Sequence, residues 1–234
     1  MAATGITREG LSVDLATETV RSLNERLHQG VIPERIRVLN PGGKHAIAVG
    51  IDASCEVEIE GHVGYYCAGM NKQAVVHVRG NCGVGVAENM MSGTVIVEGS
   101  ASQSAGATGR GGLLVIHGDA SARCAISLKG ADVVVRGSIG HMGAFMAQRG
   151  CLVVCGDAGE ALGDSIYETH VYVRGRVASL GADCIEKEIR AQHAAELLRL
   201  LDQAGHDDLD PADFRRYGSA RALYSFTVDN AGAY

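Results

Sequence analysis

Seven short apolar segments of this sequence each end in a glycine, and these glycines recur at a constant interval of 19 (80 − 61 = 19 for the first pair). The segments VEIEG, VHVRG, VIVEG, LVIHG, VVVRG, LVVCG and VYVRG end at Gly61, Gly80, Gly99, Gly118, Gly137, Gly156 and Gly175, which we call the corner glycines. A fixed period of this kind is typical of repeat architectures, in which each unit packs only on its neighbours. The sequence therefore predicts a solenoid in which one strand of every coil ends at a corner glycine.

The residues around each corner glycine indicate how a coil is oriented. The positions two and four residues before the glycine are apolar in every coil, as Ile59 and Val57 are before Gly61. Because side chains alternate between the two faces of a strand, these positions share a face that must point into a core. The residue two positions after the glycine is also apolar, and the one between them is polar in every coil. The glycine is expected to turn the chain through a positive φ or through a close approach of two backbones.

Stacking of such coils predicts an all-β core in the form of a single-stranded, right-handed parallel β-helix of about seven 19-residue coils, with short flanking helices at both ends. Strands about 4.8 Å apart would give a rod roughly 34 Å long. We expect an N-terminal helix and capping segment in residues 1–45, the β-helix in 46–182, and helices with an aromatic tail in 183–234. Gly42 is expected to be in register with the corner glycines, although Asn40 then occupies an inward position.

Both flanks carry helix-like patterns. A helix is predicted between Asp14 and Gly30, with Val20, Leu23 and Leu27 on one face. Asp183 is expected to cap a second helix, and Asp210 with Pro211 is expected to begin a shorter one. The second helix would carry Ile185, Ile189, Leu197, Leu198 and Leu201. Five aromatic residues near the end are candidates for docking, either onto this chain's own rod or onto a partner protein: Phe214, Tyr217, Tyr224, Phe226 and Tyr234.

Composition excludes several classes of function. The formal net charge of −6 argues against binding of nucleic acid through its phosphates. No run of about 18 apolar residues is present, so no membrane span is expected, and the first residues lack the pattern of a secretory signal. With no export signal, the seven cysteines are expected to be reduced thiols of a cytoplasmic protein.

A search for reactive groups gives no catalytic constellation. No CxxC pair or close cysteine quartet occurs, so neither zinc nor an iron–sulfur cluster is expected to bind this chain. His117 and Asp119 lie near one corner and could act as a base and the group that orients it, but no nucleophile accompanies them. The outward residues directly before the corner glycines include Glu60, Arg79 and Glu98, which alternate in sign and are expected to pair across the ladder. The sequence predicts no catalytic residue.

The glycine pattern resembles a known domain. The segments Gly61-His-Val-Gly64, Gly80-Asn-Cys-Gly-Val-Gly85 and Gly137-Ser-Ile-Gly140 resemble the GXGXG domain, which closes the large subunit of glutamate synthase. That domain is similar to one of the subunits of formylmethanofuran dehydrogenase. The resemblance covers about residues 40–182. The two flanks, as in Leu23-Asn-Glu-Arg-Leu-His28 and Phe214-Arg-Arg-Tyr-Gly-Ser-Ala-Arg221, resemble the separate GXGXG subunit of N-methylglutamate synthase.

The resemblance implies a non-catalytic structural subunit in a hetero-oligomer. Its partners would be a glutamine-amidotransferase-like subunit and a synthase subunit that holds FMN and an iron–sulfur cluster, while this chain would bind no cofactor. The complex would make N-methylglutamate from methylamine and glutamate with release of ammonia. Two alternatives stay open: a subunit of a glutamate synthase-like or formylmethanofuran dehydrogenase-like complex, and a self-contained β-helix enzyme, which would need a cleft with clustered carboxylates.

Overall fold

A computed structural model describes residues 10–29 and 32–221 of the chain. Its strands are β1 (Leu11–Asp14), β2 (Arg35–Leu39), β3 (Glu56–Ile59), β4 (Val75–Val78), β5 (Thr94–Val97), β6 (Leu113–Ile116), β7 (Lys129–Val135), β8 (Arg149–Val154), β9 (His170–Val173), β10 (Cys184–Lys187) and β11 (Arg215–Ser219). Two α-helices, α1 (Val20–Leu27) and α2 (Ala191–Gln203), and a 3-10 turn at Pro211–Asp213 complete the described elements.

Strands β3 to β9 confirm the predicted parallel β-helix. Each strand pairs in parallel with the next one along the chain, and the partners keep the interval of the repeat, as in Ile59 with Val78. The two inward columns are 0–1% exposed in all seven coils, from Val57 and Ile59 to Val171 and Val173. A second ladder of single bridges, which begins at Val63 and Cys82, joins the positions two residues after the corner glycines. Alternation along the strand therefore predicts the inward face, and the repeat interval predicts the register.

The turns that join the successive strands from β3 to β9 each hold an alternating set of three left-handed residues, five, seven and nine positions after the corner glycine. In one coil these are Tyr66, Ala68 and Met70, with φ of 60°, 53° and 56°. Residues with a side chain rarely adopt this conformation, which costs roughly 1–2 kcal/mol per residue. The amides alternate in direction: the Tyr66 N–H donates to Val84 O in the next coil, and the Ala68 N–H donates to Ile47 O in the preceding coil. Hydrogen bonds to both neighbouring coils thus hold a backbone that an isolated coil would not adopt.

The N-terminal end of the rod differs from the prediction. Val38 of β2 pairs with Ile59, an interval of 59 − 38 = 21, so this coil is two residues longer than the others. Asn40, with φ of 52°, therefore occupies the corner position, and the prediction that Gly42 is in register was wrong. Strand β1 adds one more parallel strand. Helix α1 is shorter than predicted, but Leu23 and Leu27 are buried in the core of the rod as its amphipathic pattern requires.

The C-terminal end is closed by an antiparallel hairpin. Strand β11 pairs with β9 and with β10, both antiparallel, so the sheet order ends β9-β11-β10. The prediction that a helix begins at Asp183 was wrong, because residues 184–187 form β10 and α2 begins only at Ala191. The shorter helix predicted to begin at Asp210 and Pro211 is a single 3-10 turn at Pro211–Asp213, in which the Asp210 carboxylate accepts the Ala212 N–H at 2.8 Å.

Two apolar layers result from this arrangement. The main core fills the rod, and a second cluster lies on the outer face of the sheet beneath α2. In this second cluster Val115, Val134 and Val153 meet Leu197 and Leu201. Neither helix in the described part of the chain is long and apolar enough to cross a membrane.

Candidate functional site

The corner glycines have a structural role that the backbone geometry explains. Of the seven, Gly61 has a positive φ, of 133°, whereas the six that follow have ordinary φ values. A Cβ atom at Gly80 would lie 2.6 Å from the carbonyl carbon of Gly61, and one at Gly175 would lie 2.4 Å from Gly156 O. The requirement for glycine is therefore mainly the close approach of successive coils, which hydrogen bonds such as Gly118 N–H to Gly99 O (2.9 Å) stabilise.

The polar residue after each of the first six corner glycines binds the next coil. Asn81 Oδ1 accepts the Ser100 N–H at 2.8 Å, and Ser100 Oγ accepts the Asp119 N–H at 3.1 Å. The same contact recurs along a series that we call the acceptor ladder: His62, Asn81, Ser100, Asp119, Ser138 and Asp157. It ends at Arg176, whose side chain can only donate. The polarity of this column thus reflects pairing between coils.

The docking aromatics fall into two groups. Phe214 and Tyr217 are 4% and 2% exposed, with Phe214 beneath α2 and Tyr217 in the core of the rod. Both side chains are therefore packed within this chain. Tyr224, Phe226 and Tyr234 lie outside the described residues.

The other candidate residues from the sequence make structural contacts within the chain. Asp119 belongs to the acceptor ladder, and the His117 ring packs edge-on against His206 with centroids 5.2 Å apart, so these two residues do not form a catalytic pair. All seven cysteines are free thiols and are buried. Among the outward charges, Arg79 contacts Glu98 at 3.3 Å as predicted, but Glu60 pairs with Arg37 of the preceding coil at 2.8 Å.

A polar cluster that the sequence did not predict lies between α2 and the sheet. Its centre is the Glu196 carboxylate, whose Oε2 accepts the Tyr172 hydroxyl at 2.6 Å and lies 2.7 Å from His170 Nδ1. Cys151 is the register partner of His170 on the adjacent strand and is 3% exposed. One ligand-type atom each from Cys151, His170 and Glu196 lies within 4.8 Å of the other two. We call these three residues the Cys-His-Glu cluster.

The cluster is strongly polarised. The hydrogen bond from His170 is the main reason why the pKa of Glu196 falls to about 2, although burial opposes this shift. Burial and the nearby carboxylates of Asp132 and Glu196 raise the pKa of the Cys151 thiol far above its usual value. Burial also raises the pKa of Asp132, which the Arg199 guanidinium, 3.4 Å away, partly offsets. The cluster thus holds a carboxylate and a protonated thiol side by side.

A cavity of about 510 Å³ opens onto this cluster. Cys151, His170 and Glu196 line it together with basic side chains that include Arg149, Lys187, Arg199 and Arg216. Thr169, which is 1% exposed, also lines the cavity, and its hydroxyl has no hydrogen-bond partner among the residues that the structure describes. An unpaired buried hydroxyl is uncommon in proteins.

Apolar side chains are exposed on the turns of the rod. Tyr65 and Val84 occupy equivalent positions in adjacent coils and are 53% and 47% exposed, and Met70 and Met91 on the same two turns are 44% and 40% exposed. We call these four residues the turn patch. Exposed apolar residues grouped in this way are typical of surfaces that bind other proteins.

Weak signals in the repeat point to these surfaces. Asp132, Cys151 and His170 stand five residues before three successive corner glycines, where earlier coils carry Val75, Thr94 and Leu113. The column three residues before the corner changes from charged residues to apolar ones at β5, which marks the area that α2 covers. Glu196 could not be assigned, because its contact with this column depends on how a helix 26 residues beyond His170 folds back.

Comparison with known proteins gives one informative match. No protein-family model matches the chain. Over 225 residues it is 60% identical to the curated protein named Protein GlxC from Rhizobium meliloti (strain 1021), and the match covers 95% of this chain and 99% of that protein. Identity at this level over nearly the full length of both proteins means that this chain belongs to the GlxC family.

Proposed function

We propose that this chain is a non-catalytic structural subunit of a glutamate synthase-related complex, and more specifically of an N-methylglutamate synthase. In this role the rod holds a glutamine-amidotransferase-like subunit and an FMN- and iron–sulfur-containing synthase subunit in fixed positions. The proposal places the complex in the cytoplasm, consistent with seven reduced cysteines. The chemistry takes place on the partner subunits.

The observation that carries the proposal is the turn patch on a stiff rod. Every coil is bonded to its neighbours through the sheet, the bridges of the second ladder and the acceptor ladder, which favours a stiff rod. Transfer of a small amine between two active sites needs such a fixed geometry. The patch adds apolar surface on a side of the rod where α2 and the hairpin make no cover, which suits a partner subunit.

The family match supports a role shared with a glutamate synthase-related protein. The aligned residues make up 95% of this chain and 99% of Protein GlxC, so the two proteins match over nearly their whole length. The GXGXG resemblance supports a complex related to glutamate synthase, because a domain of this kind forms the last part of the large subunit of glutamate synthase. The proposal for N-methylglutamate as the product rests on the resemblance of the two flanks.

Affinity capture from the native host tests the proposal. The tagged full-length chain should co-purify with an amidotransferase-like and a synthase-like subunit, identified by mass spectrometry, and the eluate should show flavin and iron–sulfur absorbance. A partner that contains molybdenum or tungsten would instead favour a complex related to formylmethanofuran dehydrogenase. A colourless chain that elutes alone would overturn the scaffold proposal.

Variants in the turn patch locate the contact. Tyr65→Glu and Val84→Glu together should abolish capture of at least one partner, because a charge in an apolar interface is costly to desolvate. Leu198→Glu is the matched control: Leu198 is 48% exposed on α2, away from the turns, and capture should be unchanged. Equal loss in both variants would contradict a specific role for the patch.

A further inference from the structure

We propose that Cys151, His170 and Glu196 bind a divalent transition metal ion of the zinc type. Thiolate, imidazole and carboxylate are the ligands that zinc accepts in proteins. The proposal is independent of the scaffold function and departs from the sequence-based expectation that this chain binds no metal. The spacing of the ligands, from two strands and a helix, is not one that a sequence motif describes.

The distances allow coordination after a small movement. Tetrahedral zinc has bonds of about 2.0–2.3 Å, so its ligand atoms lie about 3.3–3.6 Å apart. His170 Nδ1 and Glu196 Oε2 are 2.7 Å apart, and the three ligand atoms all lie within 4.8 Å of one another. Insertion of an ion would separate the imidazole from the carboxylate slightly and draw the thiol inward. In this proposal both changes come from rotation of the side chains.

The backbone that carries the ligands is firmly held. Cys151 and His170 are paired in register on β8 and β9. Glu196 is next to Leu197, which is 0% exposed and packs with Leu200 in the cluster beneath α2. Two ligands are therefore held by the sheet and the third by the apolar face of the helix. This arrangement reduces the conformational entropy that the protein loses when the ion binds.

Outer partners suited to a metal site surround the ligands. The Tyr172 hydroxyl donates to Glu196, and Asp132 accepts the Cys151 N–H at 3.1 Å, while Arg199 contacts Asp132. Hydrogen bonds of this kind orient ligating side chains in metal sites. In the bound state Cys151 would release its proton to solvent and ligate as the thiolate. His170 would ligate through Nδ1, so the proton that Nδ1 donates to Glu196 would leave to solvent and the neutral ring would carry its proton on Nε2.

The cavity beside the cluster leaves room for a fourth ligand on the ion. Three protein ligands leave one position of a tetrahedral ion open, and all three ligands line the same cavity of about 510 Å³. Arg149, Lys187 and Arg216 would favour an anion at the open position.

Cobalt titration of the metal-free full-length chain tests the site. After treatment with EDTA and dialysis, the chain should bind one Co²⁺ and show a thiolate-to-cobalt charge-transfer band together with visible d–d bands. One equivalent of Zn²⁺ should displace the cobalt and bleach both. Cys151→Ser should remove the charge-transfer band and stoichiometric binding.

The control is Cys155→Ser, because Cys155 directly follows the same strand, is buried in the same apolar cluster and is not a ligand. It should keep both the band and the affinity. Tyr172→Phe removes an outer partner only and should weaken binding by about 10- to 100-fold. Equal loss in the Cys155 and Cys151 variants, or no charge-transfer band in the native chain, would overturn the proposal.

A measurement on the native chain covers the case in which Cys151→Ser fails to fold. Zn²⁺ should raise the Tm of the metal-free chain, with no such rise for Ca²⁺, which prefers oxygen ligands. If the Cys-His-Glu cluster only attaches α2 to the sheet, neither ion will change the Tm, and the metal proposal falls.

Discussion

The first and last coils of the rod use the same repeat but treat the outer face of the sheet differently. In the first coils, the position three residues before the corner carries Glu58 and His77, which are half-buried and pair with Arg79 and Glu98. In the last coils the same position carries Val134, Val153 and Tyr172, which α2 covers. A solenoid can thus keep one core throughout and still vary the outer face coil by coil. The outer face of the first half contacts solvent, and that of the second half packs against α2.

The largest test of this comparison places a charge beneath α2. Val153→Asp would bury an unpaired carboxylate at a side chain that is 0% exposed, and we expect a loss of roughly 3–5 kcal/mol in the free energy of unfolding. Glu58→Ala, at the equivalent position of an early coil, should cost no more than about 1 kcal/mol, because the Glu58–Arg79 pair is only half-buried and remains in contact with solvent. Urea unfolding of both variants measures the difference. Similar losses would show that the two halves of the face are equivalent.

A second test uses the pH dependence of stability. The folded pKa of Glu196 is about 2, below its ordinary value of 4.5, so its contribution is full above pH 4.5 and is lost as the pH falls towards 2. Glu196→Gln should therefore remove up to about 3 kcal/mol at neutral pH and flatten the fall in stability between pH 4.5 and 2. Denaturant unfolding of the metal-free chain across this range measures it.

Glu98 is the matched carboxylate in the early coils. Its contact with His77 also lowers its pKa, but the side chain is 40% exposed. Glu98→Gln should change the acid limb much less than Glu196→Gln does. The reverse order would mean that burial beneath α2 does not strengthen the carboxylate's contacts.

The acceptor ladder gives the smallest effect and should not distinguish the halves. Asn81→Ala in an early coil and Asp157→Ala in the last one each remove a single acceptor for a backbone N–H, which costs about 1 kcal/mol. Thermal unfolding should show equal losses for the two variants. A clearly larger loss at Asp157 would mean that the last coil depends on this contact more than the others.

The features that recur in every coil could be predicted from the sequence. The inward columns, such as Val57 and Ile59, follow from alternation, and the stacking of coils follows from the constant interval between the corner glycines. Gly42 was placed wrongly because the first coil has two extra residues, which no period reveals. Residues 184–187 were predicted as part of a helix. They form a strand only because they pair with β11, which follows α2 in the sequence and which the local pattern does not reveal.

The unpredicted features all depend on contacts between distant segments. The corner glycines could be found by spacing, but whether they serve a positive φ or a close approach is decided by the neighbouring coil. The Cys-His-Glu cluster joins a thiol on the sheet to a carboxylate on α2, and it exists only after α2 folds back over β8 and β9. The predicted partners and their cofactors rest on the GXGXG resemblance alone.

The acceptor ladder also gives the rod a direction and a stopping point. Each member accepts a hydrogen bond from the coil that follows, and the series stops at Arg176, which has no lone pair to offer a further coil. Because successive coils lie about 4.8 Å apart, the number of coils sets the distance between the two ends of the rod. Loss or duplication of one complete coil within the series would change the distance between its ends by about 4.8 Å and leave every contact type in place, whereas a coil added after Arg176 would find no side-chain acceptor at this position. The end of the rod is therefore marked by the side chain at this position as well as by the number of repeats.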